Sequence, residues 1–352
     1  MAERRQRARD FLRQAADAGV DIRDEVAVMV AGALADSSRR TYSSAENLFR
    51  DIIWGDNAPA DTYPRSGEML MVFAYVMTRV NYKASTIKTY VAGVKTKNLE
   101  HGYRLSSIEE DHLKRVLKTV GKRTTGESQM VNRMEPITVD EVRECMRNAA
   151  PGSREIKMGM LLSLFAVLRA GEGLALNTKD VVFDTQDGMD IVRLTIREGK
   201  CDQYGQGVVV KVGCTRQAKN RPCGGILCLV HQLYQYMYDG YRTGVLSTRQ
   251  GAPLLVDPRT RLRLSYATFS EGIRGLITAS TNRVGWTDFG THSLRRSGAW
   301  WMWLARIPRI NRLEFGRWAL DTTLEKFYLT GVTHTQSHKY ARAMVQGTYD
   351  GL

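Results

Sequence analysis

GTHSLRRSGAWWMW, residues Gly290–Trp303, sets His292 and Arg295 three apart, adds Arg296 at once and then turns apolar. A spacing of three puts two side chains on one face of a helix. Thr291 or Ser293 can cap the start of that helix, where free backbone N–H groups and the helix dipole favour an anion. Two readings are open on these residues alone. One is an ordinary amphipathic helix with a capping His and a surface Arg. The other is a helix that aims His292 and Arg295 at a phosphate.

The rest of the chain supplies the context. Its 352 residues exceed what one hydrophobic core usually holds, so two domains are expected. Apolar residues make up 43% and charged residues 25%, the balance of a globular protein. The formal charge is +14, from 51 Lys and Arg against 37 Asp and Glu, which suits a polyanionic partner such as nucleic acid. No apolar run has the length of a bilayer span, and MAERRQRARDFLRQ lacks the apolar core of a signal peptide, so no membrane partner is expected. The five cysteines, Cys145, Cys201, Cys214, Cys223 and Cys228, are few and odd in number, which favours a reducing intracellular compartment. Cys214, Cys223, Cys228 and His231 fall in the pattern C-x8-C-x4-C-x2-H, which lacks the paired C-x-x-C knuckles of recognisable zinc sites. The reading is therefore buried or free thiols, with no metal ligand and no cofactor assigned.

Residues 1–36 form a basic, helix-prone N-terminal arm. Four helical patterns follow in 37–121. SSRRTYSSAENLFRDIIW opens with Ser caps and repeats apolar residues at Tyr42, Ala45, Leu48, Phe49 and Ile52. SGEMLMVFAYVMTRV reads as a buried helix. KASTIKTYVAGVKTKNLEHG gathers Ile87, Tyr90, Val91 and Val94 on one face, and SSIEEDHLKRVLKTVGKR is the fourth. Together they predict a small all-α domain with a basic side. Residues 122–133 are polar and aperiodic, a linker. The second domain, 134–352, opens at EPITVDEVRECM, where Thr138 and Glu141 make a capping box. A long apolar helix, EIKMGMLLSLFAVLRAGEGLAL, comes next, followed by two strands, MDIVRLTIREG and GQGVVVKVG, joined by a turn at KCDQYGQG. Helices resume from about Gly224. The expected fold class is mainly α with a small antiparallel β-sheet, a helical domain followed by a mixed α+β domain with a C-terminal tail at 331–352.

Several residues stand out in the second domain. Arg169 is followed three residues on by Glu172, a carboxylate placed to orient it as a rigid donor fork for phosphate oxygens. Lys200 sits at the hairpin tip. FGRWALDTTLEKFYL carries Trp318 and, ten residues later, Tyr328. Taken in order, Arg169, Lys200, His292-x-x-Arg295, Trp318 and Tyr328 resemble the tyrosine recombinase, or phage integrase, family. The resemblance lies in LRAGEGLAL, in GKCDQYGQG on the hairpin, in THSLRRSGA and in GRWALDTTLEKFYL. The first domain is similar to the family's core-binding domain in SSRRTYSSAENLFRD and STIKTYVAGVK. The likeness runs over roughly 37–330. Two departures are visible: the family most often has His where this chain has Trp318, and the usual gap to the nucleophile is nine rather than ten.

The resemblance implies a two-domain clamp around a DNA duplex and a site-specific recombinase or integrase of a mobile element. Tyr328 would be the nucleophile, forming a covalent 3′-phosphotyrosine. Arg169 and Arg295 would meet the charge of the transition state, with Glu172 orienting Arg169. His292 would handle the tyrosine proton or a phosphate oxygen, Trp318 would offer an indole N–H or pack the nucleophile helix, and Lys200 would protonate the leaving 5′-oxygen. Neither metal nor ATP enters this chemistry. Arg39, Arg40, Lys88 and Lys95 are the candidates for contacts to the DNA backbone. The implied assembly is a homodimer on an inverted-repeat site and a homotetramer in the synapse, inside the cell with the DNA, in a prokaryotic nucleoid or a eukaryotic nucleus. A type IB topoisomerase uses the same chemistry without strand exchange, and a catalytically silent DNA-binding regulator could keep the same scaffold.

Overall fold

The computed structural model describes residues 2–32, 34, 36–123, 136–148, 152–197, 207–215, 223, 225–281, 283, 289–318 and 324. The chain divides into two compact units, Met1–Val131 and Asn132–Leu352.

In the first unit the basic N-terminal segment forms two helices, α1 (Ala2–Asp17) and α2 (Ile22–Gly32). Four more follow: α3 (Asp36–Ile53), α4 (Gly67–Arg79), α5 (Ala84–Glu100) and α6 (Ser107–Arg123). These match the four periodic stretches of the sequence. Ala45 and Phe49, Leu70, Phe73, Ala74 and Met77, and Ile87, Val91 and Val94 close with Leu113 and Val120 into one core. The spacing of these residues puts one apolar stripe on each helix, and burial of that stripe fixes the bundle. α3 begins at Asp36, so Ser37 and Ser38 lie in its first turn instead of preceding it. Ser66 caps α4 by accepting from the Met69 N–H at 3.2 Å. The Glu109 carboxylate accepts from the Gly67 and Ser106 N–H groups at 2.8 Å each, tying the starts of α4 and α6 together.

The second unit opens with α7 (Val139–Arg147), whose capping box between Thr138 and Glu141 is formed. α8 (Arg154–Phe165) is its central helix, buried on nearly every side through Met158, Met160, Leu161, Leu162 and Leu164. The long helix expected over 155–176 is broken. Residues 166–169 leave the helix, and a short α9 (Ala170–Ala175) restarts after them. At the break the Val167 carbonyl is captured by Arg295 and Arg317, contacts that come from distant parts of the chain.

An antiparallel sheet follows: β1 (Val181–Gln186), β2 (Met189–Ile196) and β3 (Val208–Gly213), in the order β1-β2-β3. The sequence reading contains β2 and β3 but not β1. Asp187 and Gly188, both at positive φ (53° and 72°), make the two-residue turn that joins β1 to β2. Val192, Leu194 and Ile196 on β2, with Val210 and Val212 on β3, face the core. α10 (Leu229–Arg242) packs on β2 and β3.

α11 (Tyr266–Ser280), α12 (Thr291–Leu304) and α13 (Arg309–Gly316) complete the described elements. Gly290 precedes α12, and its N–H donates to the Ser293 hydroxyl at 3.2 Å; Thr291 instead shares a hydrogen bond with Tyr266 Oη at 2.8 Å. α12 crosses α8 at Gly298, where an added Cβ would lie 2.3 Å from the Leu164 carbonyl oxygen. Only a glycine lets the two backbones approach this closely. Among the described residues no helix is long and apolar enough to cross a membrane.

Candidate active site

The break after α8 places a β-branched residue, Val167, at φ 49°. A left-handed valine is costly, so something must hold it. Its carbonyl is turned to accept from Arg295 Nη1, on α12, and from Arg317 Nη2 at 3.3 Å, just past α13. The same turn brings Arg169 to the start of α9. There the Arg169 N–H donates to Glu172 Oε2 at 2.9 Å, and its Nη1 donates to Glu172 Oε1 at 2.7 Å.

Glu172 serves more than Arg169. Arg317 Nη2 donates to its Oε2 at 2.8 Å, and Arg295 Nη1 stands 3.6 Å from the same oxygen. The Glu172 side chain is only 6% exposed. Burial alone would raise its carboxyl pKa, but Arg317, the Arg169 N–H, the Arg169 side chain and Arg295 together hold it below the usual carboxylate value. One ionised carboxylate thus faces three guanidinium groups. The cluster carries a surplus of positive charge inside a protein wall, where a charge is worth more than in water. Such a surplus suits an anion that brings two charges or gains one during reaction.

The three arginines differ in access. Arg169 is 21% exposed and opens to solvent, Arg317 is 15% exposed, and Arg295 only 1%. Arg295 Nη2 donates to the Gly316 carbonyl at 2.6 Å, and its guanidinium lies 5.0 Å from the centre of the Trp318 ring. Trp318 is buried with Val167, Ala299 and Leu324. It folds back over the end of α13 because Arg317, at φ 56°, reverses the chain, and the Trp318 N–H returns to the Leu313 carbonyl at 3.0 Å. Gly316 is required beneath it, as an added Cβ there would fall 1.7 Å from the ring.

Of the residues expected from sequence, the fold therefore brings together Arg169, Glu172, Arg295 and Trp318. His292 is exposed on the first turn of α12, on the same helix as Arg295. Lys200 and Tyr328 lie outside the described residues, as do most of 122–133 and all of the tail 331–352. Arg317 is the member that the sequence reading lacks. Its neighbours FGRWAL look like a helix end, and its reach to Glu172, 145 residues earlier, leaves no local trace.

On the first unit, Arg39 and Arg40 are exposed on α3 and Lys88 is exposed on α5. Lys95 is engaged within the bundle, its Nζ donating to both oxygens of Glu110 on α6 at 2.6 and 2.7 Å. Among the described residues, the group able to hold a metal is Cys214, Cys223, Cys228 and His231, apart from the arginine cluster in composition and position along the chain.

The sequence matches no protein-family model and no curated protein. Solved structures do match. One is a lambda integrase (residues 75–356) dimer bound to a COC′ core site, at 16% identity and TM-score 0.56, covering 87% of this chain and 93% of that one. Another is the XerH site-specific recombinase bound to a palindromic difH substrate, at 16% identity and TM-score 0.54, covering 87% and 79%. A third is the Tn1549 transposon integrase (residues 82–397) with circular-intermediate DNA, at 13% identity and TM-score 0.53, covering 87% and 94%. This chain has the tyrosine recombinase fold. At such identities the likeness is one of fold, spanning both compact units. Within the tyrosine recombinase fold, the arginine cluster lies where the broken α8–α9 connection meets α12 and the end of α13.

Proposed function

We propose that this protein is a site-specific recombinase that cleaves and rejoins double-stranded DNA through a covalent 3′-phosphotyrosine at Tyr328. The observation that carries the reading is the arginine cluster. Arg169, Arg295 and Arg317, from three separate elements, close around one buried carboxylate beside Trp318. A structural ion pair would need one arginine, whereas a surplus of guanidinium donors suits a phosphodiester that gathers charge as it reacts.

In this reading the Tyr328 oxygen forms a bond to phosphorus as the bond to the 5′-oxygen breaks. The tyrosine proton passes to His292, whose exposed place on α12 leaves it open to DNA. Lys200 supplies a proton to the leaving oxygen, so a neutral 5′-hydroxyl departs. Arg169 and Arg295 bind the two non-bridging oxygens, and Glu172 positions both together with Arg317. Arg295 is turned inward onto the Val167 and Gly316 carbonyls. Its engagement with phosphate would release at least one of them, coupling DNA binding to the loop before α9 and to the end of α13. The phosphotyrosine keeps the bond energy, so attack by a 5′-hydroxyl reverses the step without ATP.

The partner in this reading is a duplex with an inverted-repeat site, bound by two protomers, with four in the synapse. The lambda integrase dimer on its core site supports the pairing. Arg39, Arg40 and Lys88 are the proposed backbone contacts of the first unit. Lys95 would join them only by leaving Glu110. The role in moving a genetic element rests on the resemblance to integrases.

Two labelled duplexes taken from the candidate ends of the element test the assignment. Strand exchange between them is expected. Relaxation of a supercoiled plasmid with no exchange would assign a type IB topoisomerase, and salt-sensitive binding with no covalent product would assign a regulator.

A further inference from the structure

At the end of the sheet where β3 finishes, four soft donors meet. Cys214 follows β3 directly, Cys228 stands at the N-terminus of α10, His231 is in the first turn of that helix, and Cys223 lies between. Their ligand atoms, three Sγ and one imidazole nitrogen, all lie within 4.8 Å of one another. The four lie within eighteen residues but lack paired C-x-x-C knuckles, so the sequence reading leaves them as thiols; the packing of β3 and α10 brings their donor atoms together.

The separations fit a metal-centred tetrahedron. With zinc bond lengths of about 2.3 Å to sulfur and about 2.0–2.1 Å to nitrogen, the edges of such a tetrahedron are about 3.8 Å for S···S and about 3.6 Å for S···N. Here Cys228 Sγ and Cys214 Sγ are 3.7 Å apart, and His231 Nδ1 is 3.6 Å from Cys214 Sγ and 3.3 Å from Cys228 Sγ. The other imidazole nitrogen, Nε2, lies 3.5 Å from Asp190 Oδ2 on β2. A carboxylate behind a ligating histidine fixes the ring and its tautomer. The donors are shielded, with Cys228 buried and the other three partly so. None of the described cysteines forms a disulfide.

We propose that Cys214, Cys223, Cys228 and His231 bind one Zn2+ in a closed, structural site, with His231 ligating through Nδ1 and Asp190 holding its Nε2–H. Three thiolates and an imidazole suit zinc over the harder divalent ions. On binding, each thiol gives up its proton to solvent and the imidazole binds neutral, so the filled site carries one negative charge. The ion would pin the end of β3 to the start of α10. The Cys214 N–H already extends the β2–β3 ladder by donating to the Asp190 carbonyl at 2.8 Å, so the pin would secure that end of the β2–β3 pair. This inference stands independently of the recombinase assignment.

The test uses the full chain without an affinity tag, purified from zinc-supplemented cells and dialysed. Elemental analysis is expected to find one zinc per chain. Replacement by Co2+ is expected to give intense visible d–d bands and a sulfur-to-cobalt charge-transfer band. Cys223→Ser is expected to weaken zinc binding by more than about tenfold, and Asp190→Asn by about 10–100-fold. Cys145→Ser, on α7 outside the cluster, should leave it unchanged. Zinc far below one per chain, or a weak octahedral cobalt spectrum, overturns the proposal. So does zinc content that Cys223→Ser leaves intact. If the variants fail to fold, the cobalt spectrum of the unaltered chain still decides.

Discussion

Replacing Glu172 by Gln keeps the shape of the side chain and removes the negative charge that Arg169, Arg295 and Arg317 share. The carboxylate accepts from the Arg169 N–H, Arg169 Nη1 and Arg317 Nη2, with Arg295 at 3.6 Å. A glutamine offers one oxygen, and its amide nitrogen points hydrogens at a guanidinium that also presents hydrogens. At least one charge-assisted hydrogen bond is lost, a loss of about 1.5–3 kcal/mol. The unbalanced arginines add to it. Because Arg169 and Arg317 are 21% and 15% exposed, solvent screens part of that penalty. The total should stay below the ~3–5 kcal/mol typical of breaking a fully buried pair, and about 2–4 kcal/mol is expected. For a unit of this size, at about 2–4 °C per kcal/mol, the melting temperature should fall by roughly 4–16 °C. Scanning calorimetry on the full chain reads this in the transition of the second unit. Arg317→Met should soften the Glu172→Gln penalty in a double-variant cycle, since it removes one stranded charge. A melting temperature within about 1 °C of the parent would show that the cluster does not depend on its carboxylate. Strict additivity of the two changes would show that Arg317 is not part of it.

Gly298→Ala should destabilise the second unit by about 1–3 kcal/mol, because the new methyl meets a backbone carbonyl that cannot swing away. Thermal melting checks this, and an unchanged midpoint would mean that α12 and α8 do not cross there. Lys200→Ala should cleave ordinary DNA very slowly and recover on DNA with sulfur at the bridging 5′-position, since a thiolate leaves without a proton. Slow cleavage of both substrates would move Lys200 to a positioning role. Glu46, Glu141 and Glu172 are each opposed by burial yet held below the usual carboxylate value by arginine partners. Depressed folded-state values mean that their contribution is complete above the unfolded pKa of about 4.3 and is lost as pH falls below it. Denaturant titrations should therefore show little change from these groups between pH 7 and pH 5 and a steep loss below about pH 4. A steep loss already at pH 6 would point to other groups.

The helices of the first unit are legible because local and tertiary demands agree. Phe49, Leu70, Phe73, Met77, Ile87, Val91 and Val94 repeat with the helical period, and they are the residues that fill the core. The order of Arg169, Glu172, Arg295 and Trp318 is legible as well, and the fold gathers them. The interruption at Val167 is not, because the donors that capture its carbonyl come from 128 and 150 residues away. β1 is hard to see for a different reason. Only its first residue is buried, so VVFDTQ shows no alternation, although the Asp187–Gly188 pair after it is a usable hairpin signal. Arg317 shares the difficulty of Val167, since its partner Glu172 is near only after folding; the thiol cluster is visible in sequence as a local group, but its irregular spacing does not mark it as a metal site.

The most direct test of the recombinase assignment is a nicked suicide duplex, in which the short fragment bearing the freed 5′-hydroxyl diffuses away after cleavage and leaves the protein trapped on DNA. Such duplexes, drawn from the candidate ends of the element, are incubated with the full chain, denatured and digested, and the DNA-bearing peptide is read by mass spectrometry. The account predicts a phosphodiester link between the DNA 3′-phosphate and Tyr328, absent in Tyr328→Phe while duplex binding is kept. A denaturation-resistant adduct that persists in Tyr328→Phe and maps to Tyr340 or Tyr349, or no adduct on a duplex that the protein binds, would contradict it.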